Sequence, residues 1–290
     1  MVRFSPGAPT LDLSSAYRHC RQLAFGHYEN FPVASMLLPQ PQRDAIAAIY
    51  AYARTADDFS DEPEFAAKRV ALLKSWMAKL DKPAGEDPIF VALQDAIQTY
   101  RLPRQLLKDL LLAFLQDCAQ TRYRDIGQLL GYCKLSADPV GRLVLRVFDL
   151  DTPANLKASD DICTALQLAN HWQDLAADVQ LRDRIYLPQD ELKRFGVSEA
   201  QLKAGHFTAA LGELMQLQVD RAESLFAAGE ELPGRLPGRL GLEIRLTLLG
   251  GRRILSKIRK QGYDTLAARP RLTGNDAPGM LLAACLGRTS

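Results

Sequence analysis

The chain has 290 residues, 47% of them hydrophobic, with 36 basic and 34 acidic side chains and a net charge of +2. That length supports one large core or two modest ones, and the near balance of charge gives no bulk electrostatic case for nucleic acid. No window reaches the ~18 uninterrupted apolar residues of a membrane-spanning helix, and MVRFSPGAPTLDLSS lacks an apolar signal core, so a cytoplasmic protein is expected.

The first 13 residues read as a flexible arm ending in a hydrophobic anchor. Ser14 or Ser15 can cap a first helix running to about Phe25. Phe31-Pro32 interrupts the chain after it, and Pro39 and Pro41 precede a second helix rich in Ala, Ile and Tyr. Glu64 to Lys79 reads as an amphipathic helix with Trp76 on its apolar side. Helices are also expected from Ile89 to Tyr100 and after Pro103, the latter with Leu106, Leu107, Leu110, Leu111 and Phe114 inward. Ile126 to Phe148 is mostly apolar, and Pro139 should kink or break it. One helix is expected over Ala158 to Arg182, then short ones at Asp190 to Phe195 and Glu199 to Ala204. Thr208 to Ala228 and Leu240 to Lys260 read as long helices, with PGRLPGRL as the turn between them and a short helix at Pro278 to Leu286. No stretch alternates as a strand does. The expectation is an all-α, single-domain bundle over residues 1–290.

Two of these helices carry acids at helical spacing. In YAYARTADDFSDE, Asp57 and Asp61 are four apart, flanked by Asp58 and Glu62, with Arg54 one turn before Asp58. In LQLANHWQDLAADVQLRDRIYLP, Asn170, Asp174 and Asp178 are each four apart, with Gln173 on the adjoining edge. That spacing stacks the groups on one face of a helix, and both helices are otherwise apolar. Two such stripes facing each other across a bundle form an acidic cavity. Oxygen donors of this kind suit Mg²⁺, which keeps water and bridges to phosphate. For either stripe alone a solvated face is the competing reading, with Arg182 and Arg184 pairing the acids downstream. The five cysteines are widely spaced and odd in number, and the four histidines lack ligand spacing, so neither a disulfide framework nor a zinc site is expected.

RTADDFSD resembles the first aspartate motif, and NHWQDLAAD the second, of the head-to-head prenyl synthases, the squalene, phytoene and dehydrosqualene synthases. Between them YCKLSADPVGR resembles the family's central Tyr-Cys segment. The likeness continues through RDRIYLP and GGRRILSKIRKQGYD, so it covers most of the chain. HYENFPVAS, YCKLSADPVGRLVL and LPGRLGLEIRLTLLGG resemble one subgroup most, the bacterial hydroxysqualene synthases of hopanoid-type pathways.

The resemblance implies an isoprenoid-synthase bundle around a central acidic cavity. Asp57, Asp61, Asn170, Asp174 and Asp178 would hold an Mg²⁺–diphosphate cluster, with Asp58 and Gln173 as second choices. Tyr132 would be the central active-site tyrosine; its competing reading is a core tyrosine with a satisfied hydroxyl. Arg54 would meet diphosphate oxygens, or else bridge to Asp58. His27 and Ser35 stand where the family has substrate-contacting residues, although HYENFPVAS departs from the usual Ser-rich segment. Arg182, Arg184 and Tyr186 would close over phosphate, or complement a helix end. Tyr263 would be a phosphate-side tyrosine, whereas His171 and Cys133 read as structural.

The reaction implied is conversion of presqualene diphosphate to hydroxysqualene by ionisation, rearrangement and water capture. Coupling of two farnesyl diphosphates to presqualene diphosphate or squalene is the alternative. No glycine-rich dinucleotide fingerprint is visible. A catalytically silent relative serving assembly is a reading of another class; it should have lost acids from its motifs, and this chain keeps them. The implied partners are the prenyl diphosphate, neighbouring enzymes upstream and downstream, and a peripheral contact at the inner membrane.

Overall fold

A computed structural model describes residues 12–26 and 38–289. The N-terminal arm up to residue 11, His27, Ser35 and the break at Phe31-Pro32 lie outside the described residues. Helix α1 (Leu13–Gly26) begins one residue before the serines expected to cap it, so Ser14 and Ser15 sit in its first turn.

Helix α2 (Gln40–Asp61) carries Pro41 in its first turn, where the missing N–H costs nothing. Its face of Ala45, Ile46, Ala48, Ile49, Tyr52 and Ala56 is buried against α1, α4 (Pro88–Tyr100) and α5 (Arg104–Asp117). The helix expected from Glu64 begins instead as a 3₁₀ turn, Pro63–Phe65, and becomes α3 at Arg69–Lys79. Trp76 of α3 is buried and donates to the Tyr52 carbonyl at 3.2 Å. Its ring packs edge-on to Phe90, with centroids 4.6 Å apart.

Pro139 divides the central apolar stretch as expected, into α6 (Ile126–Ser136) and α7 (Asp138–Val147). Asp125 caps α6, accepting from the Gln128 N–H at 2.8 Å. Thr152 caps α8 (Pro153–Gln173) in the same way. A bidentate Arg142–Asp160 pair, at 2.8 and 2.6 Å, joins α7 to α8. Gly141 lets the two helices approach: a Cβ there would meet Cys163 Sγ at 2.7 Å and collide with Ser159.

The single helix expected over 158–182 is two. Asp174 leaves helical dihedrals (φ −101°, ψ 10°), and α9 runs Leu175–Arg182. Hydrogen bonds still cross the break, from Asp174 N–H to Asn170 C=O and from Asp178 N–H to Asp174 C=O, both 2.9 Å. The break falls where the C-terminal segment is tied down: the buried Gln173 amide donates to the Pro270 carbonyl at 2.6 Å, and Arg269 pairs with Asp174.

Short helices α10 (Gln189–Phe195) and α11 (Glu199–Lys203) lead into α12 (Ala209–Gly229), which packs along α8. PGRLPGRL contains one helical turn, α13 (Leu232–Arg235), before α14 (Gly238–Lys260). Helix α15 (Ala277–Cys285) rests on α14. Among the described residues there is no strand; one isolated bridge pairs Arg122 with Ile185. One continuous apolar core runs through this all-α bundle, and none of the described helices is long and apolar enough to cross a membrane.

Candidate active site

A cavity of about 280 Å³ opens between α2, α5, α7, α8 and α14. Most of its wall is apolar, including Phe114, Val140, Val144, Leu145, Ile162, Leu166 and Ile244. Polar groups of both acid-bearing helices also line it: Arg54 and Asp57 from α2, Gln167 and Asn170 from α8. Arg54 and Asp57 of the first motif and Asn170 of the second therefore face the same space.

The rest of the two stripes meets through arginines. Arg54 reaches Asp58 at 2.8 Å and Asp57 at 3.4 Å. Arg182 Nε lies 3.3 Å from Asp61, and its Nη1 lies 3.3 Å from Asp178. Arg184 Nη2 donates to Asp61 at 3.0 Å. Asp174 lies off the cavity wall, in a two-pronged pair with Arg269 whose longer arm is 2.9 Å.

The backbone explains how Arg184 arrives there. Asp183 adopts the left-handed region (φ 50°) and ends α9. The chain then runs extended beside residues 121–124, with Ile185 N–H donating to Thr121 C=O at 2.9 Å and Gln189 N–H to Tyr123 C=O at 2.8 Å. This places Arg184 beside the end of α5, where it also donates to the Asp117 carbonyl at 3.3 Å. Burial works against the guanidinium charge, but Asp117, Tyr186 and Asp61 outweigh that and hold it above its ordinary range.

Tyr132 is buried in an aromatic cluster with Tyr123, Tyr186 and His171 and is not on the cavity wall. Its hydroxyl donates to Asp117 Oδ2 at 2.8 Å. Burial pushes that hydroxyl well above its ordinary value, and the neighbouring Asp117 adds to the effect. His171 stacks on Tyr186 with centroids 3.6 Å apart, and burial, helped by Arg184, drives its imidazole down to about 3. It is a neutral packing group, as its position off the acid stripe leads one to expect.

Two carboxyls stand out. Burial pushes Asp178 up to about 7, with Arg182 opposing and Asp174 reinforcing the shift. Burial likewise pushes Asp117 up to about 7, against Arg184 and the Tyr132 hydroxyl. Sequence reasoning missed Asp117, yet a signal exists. It follows Leu110 by seven and Phe114 by three, so a carboxylate ends the apolar face of α5. Arg269 was also missed, and no local pattern marks it, because its partner is 95 residues away.

Gln173 spends its amide on Pro270 and lies off the cavity wall. Tyr263 follows α14 with φ 66°, half-buried against the core and also off the wall. Among the described residues no group of three His, Cys, Asp or Glu side chains forms a ready cation cage. Asp57 and Asn170 lining one cavity, with Asp61 and Asp178 near one guanidinium, fit the mode in which Mg²⁺ takes one or two carboxylates and completes its shell with water and phosphate oxygens.

Comparison with known proteins adds an independent line. The family model for squalene/phytoene synthase matches residues 25–276. A 15-cis-phytoene synthase of Synechococcus elongatus is 32% identical over 285 residues, 93% of this chain and 92% of its own. A hydroxysqualene synthase of Rhodopseudomonas palustris is 35% identical over 246 residues, 84% of this chain and 83% of its own. The crystal structure of a squalene synthase, HpnC, of Alicyclobacillus acidocaldarius matches with a TM-score of 0.81 at 38% identity, over 87% of this chain and 96% of its own. Helical architecture, paired acid motifs and sequence similarity agree, and the chain belongs to the squalene/phytoene synthase family.

Proposed function

We propose that the protein converts presqualene diphosphate to hydroxysqualene. The observation that carries this reading is the shared cavity, apolar over most of its wall, with Asp57 of α2 and Asn170 of α8 both lining it. Mg²⁺ held by the acids of the two motifs would neutralise the diphosphate and turn it into a leaving group. Arg54, Arg182 and Arg184 stand among those acids and can exchange a carboxylate for a diphosphate oxygen, a charge-assisted contact of similar strength. Departure of diphosphate leaves a cyclopropylcarbinyl cation. The apolar wall would keep bulk water from quenching it, and Tyr50 and Phe114, which line the cavity, could lend quadrupole stabilisation. Rearrangement and capture of one admitted water would then give the alcohol.

A relative named phytoene synthase matches about as well as one named hydroxysqualene synthase. The exact reaction within the family is thus open, and the competing reading is coupling of two farnesyl diphosphates to presqualene diphosphate or squalene. Incubation with Mg²⁺ and each diphosphate in ¹⁸O-labelled water separates the two. Labelled hydroxysqualene from presqualene diphosphate, without any nicotinamide, supports the proposal. Consumption of farnesyl diphosphate alone, or squalene formed only with NADPH, moves the assignment to coupling. Either reaction should stop on exhaustive chelation and resume when Mg²⁺ is restored.

A further inference from the structure

We propose that α15 is a membrane-docking helix that seats this enzyme on an anionic lipid surface. The proposal is independent of which prenyl diphosphate is consumed. From Ala277 to Gly287 the chain holds no charged residue, yet most of it is exposed. Leu281, Leu282 and Leu286 are 50%, 63% and 60% exposed. With Pro278 and Cys285, also exposed, they recur at i, i+3, i+4, i+7 and i+8, which is one continuous face of a helix. The opposite face is the one that packs: Ala284 is buried and Met280 half-buried toward α14.

Basic residues lie along the helix and at both of its ends. Arg245 of α14 donates to the Ala284 carbonyl at 3.2 Å and Arg252 to the Thr289 carbonyl at 2.7 Å. Lys257 donates to the Arg271 carbonyl at 2.7 Å, and Arg253 pairs with Asp276 at 2.7 Å. Arg271 and Arg288, both exposed, bracket the helix. Acids also stand among these six cations: Asp276 opens the helix and pairs with both Arg253 and Lys257, and Glu223 and Glu230 pair with Arg252. The set still keeps an excess of positive charge. The whole of 232–290 leans the same way, with eleven basic and three acidic residues in a chain whose net charge is only +2.

An apolar face flanked by basic residues matches the two layers of an anionic bilayer surface: the leucines enter the acyl boundary and the guanidiniums meet headgroup phosphates. A second copy of the chain fits less well. A helix of nine residues is about 13 Å long and roughly 10 Å across, so one face of it covers on the order of 130 Å², far short of the roughly 800 Å² per partner that a stable interface buries. Helix α14, on which α15 rests, also gives Leu240, Ile244 and Thr247 to the cavity wall. Docking through α15 would therefore bring the cavity's own wall close to the phase that dissolves an apolar product.

The test is sedimentation of the full chain with vesicles of phosphatidylcholine, with or without phosphatidylglycerol. The expected result is binding to the anionic vesicles, lost at high salt, and at least about tenfold weaker in a Leu281→Ser/Leu282→Ser/Leu286→Ser variant. A separate Leu282→Trp variant reads insertion directly: the emission of its new indole should shift to the blue on anionic vesicles and be quenched by brominated lipid. Failure to sediment, equal binding to neutral vesicles, an unshifted emission from the Leu282→Trp variant, or a wild-type dimer that the triple variant turns into a monomer would each overturn the proposal.

Discussion

Arg182 stands between Asp61 of the first acid motif and Asp178 of the second, 3.3 Å from a carboxylate oxygen of each. The two stripes are thus tied through a cation that both share. Arg184 adds a second tie to Asp61 at 3.0 Å. Like charges drawn together in this way repel unless a counter-ion lies between them.

Replacing Arg182 by Gln should therefore destabilise the fold, but modestly. Its side chain is 42% exposed, so solvent screening limits the cost to about 1 kcal/mol or less. The cost should be smaller at pH 5 than at pH 8, because Asp178, pushed up to about 7, is then mostly protonated. Urea unfolding at the two pH values checks both the size and the direction.

Asp57→Asn and Asp174→Asn should each lower turnover by at least ~10²-fold, the scale of losing several kcal/mol of transition-state stabilisation. Both should stay folded. Asp57 retains the geometry to accept from Arg54, and Asp174 gives up a half-exposed pair with Arg269. Product analysis beside a thermal melt distinguishes lost chemistry from lost structure.

Tyr132→Phe removes the only hydroxyl bonded to Asp117 Oδ2 among the described residues, while Asp117 Oδ1 is already buried with no hydrogen-bond partner among them. An additional unsatisfied buried oxygen should cost roughly 1–3 kcal/mol. Denaturant unfolding measures that cost. A Tyr132→Phe enzyme that keeps full stability would show that Asp117 turns to another donor.

Stability should fall as pH rises from 6.5 to 8. Asp117 is pushed up to about 7 from an ordinary value of 3.8, so between those values the folded chain holds a proton that the unfolded chain has released. Its contribution is full near the lower value and lost as pH passes the upper one. His171, driven down to about 3, acts in the opposite sense, but only below its ordinary 6.5. Asp178 and Asp138, also pushed up to about 7 by burial, act in the same sense, so Asp117→Asn should lessen the slope above pH 6.5 without abolishing it and raise the melting temperature at pH 8. A slope unchanged by this substitution would place its origin elsewhere.

Much of this protein could be read along the chain, because the forces involved act within a turn or two. Helix spans followed from apolar periodicity, the separation of α6 from α7 from Pro139, and the acid stripes from a four-residue repeat. The four-residue backbone register of Asn170, Asp174 and Asp178 continues across the break at Asp174, since the helical hydrogen bonds cross it. Tertiary structure decided which charges meet. Arg182 could have served its own helix end, yet it also reaches Asp61 on α2; Arg269 finds Asp174 across 95 residues; Gln173 turns from the cavity to Pro270. It also set Tyr132 in an aromatic cluster on Asp117, and raised Asp117 and Asp178 to about 7. The physical reason is one of range. Helical periodicity is a property of neighbouring residues, whereas an ion pair or a desolvated carboxyl depends on what the packed chain brings alongside, and on how much water it leaves there.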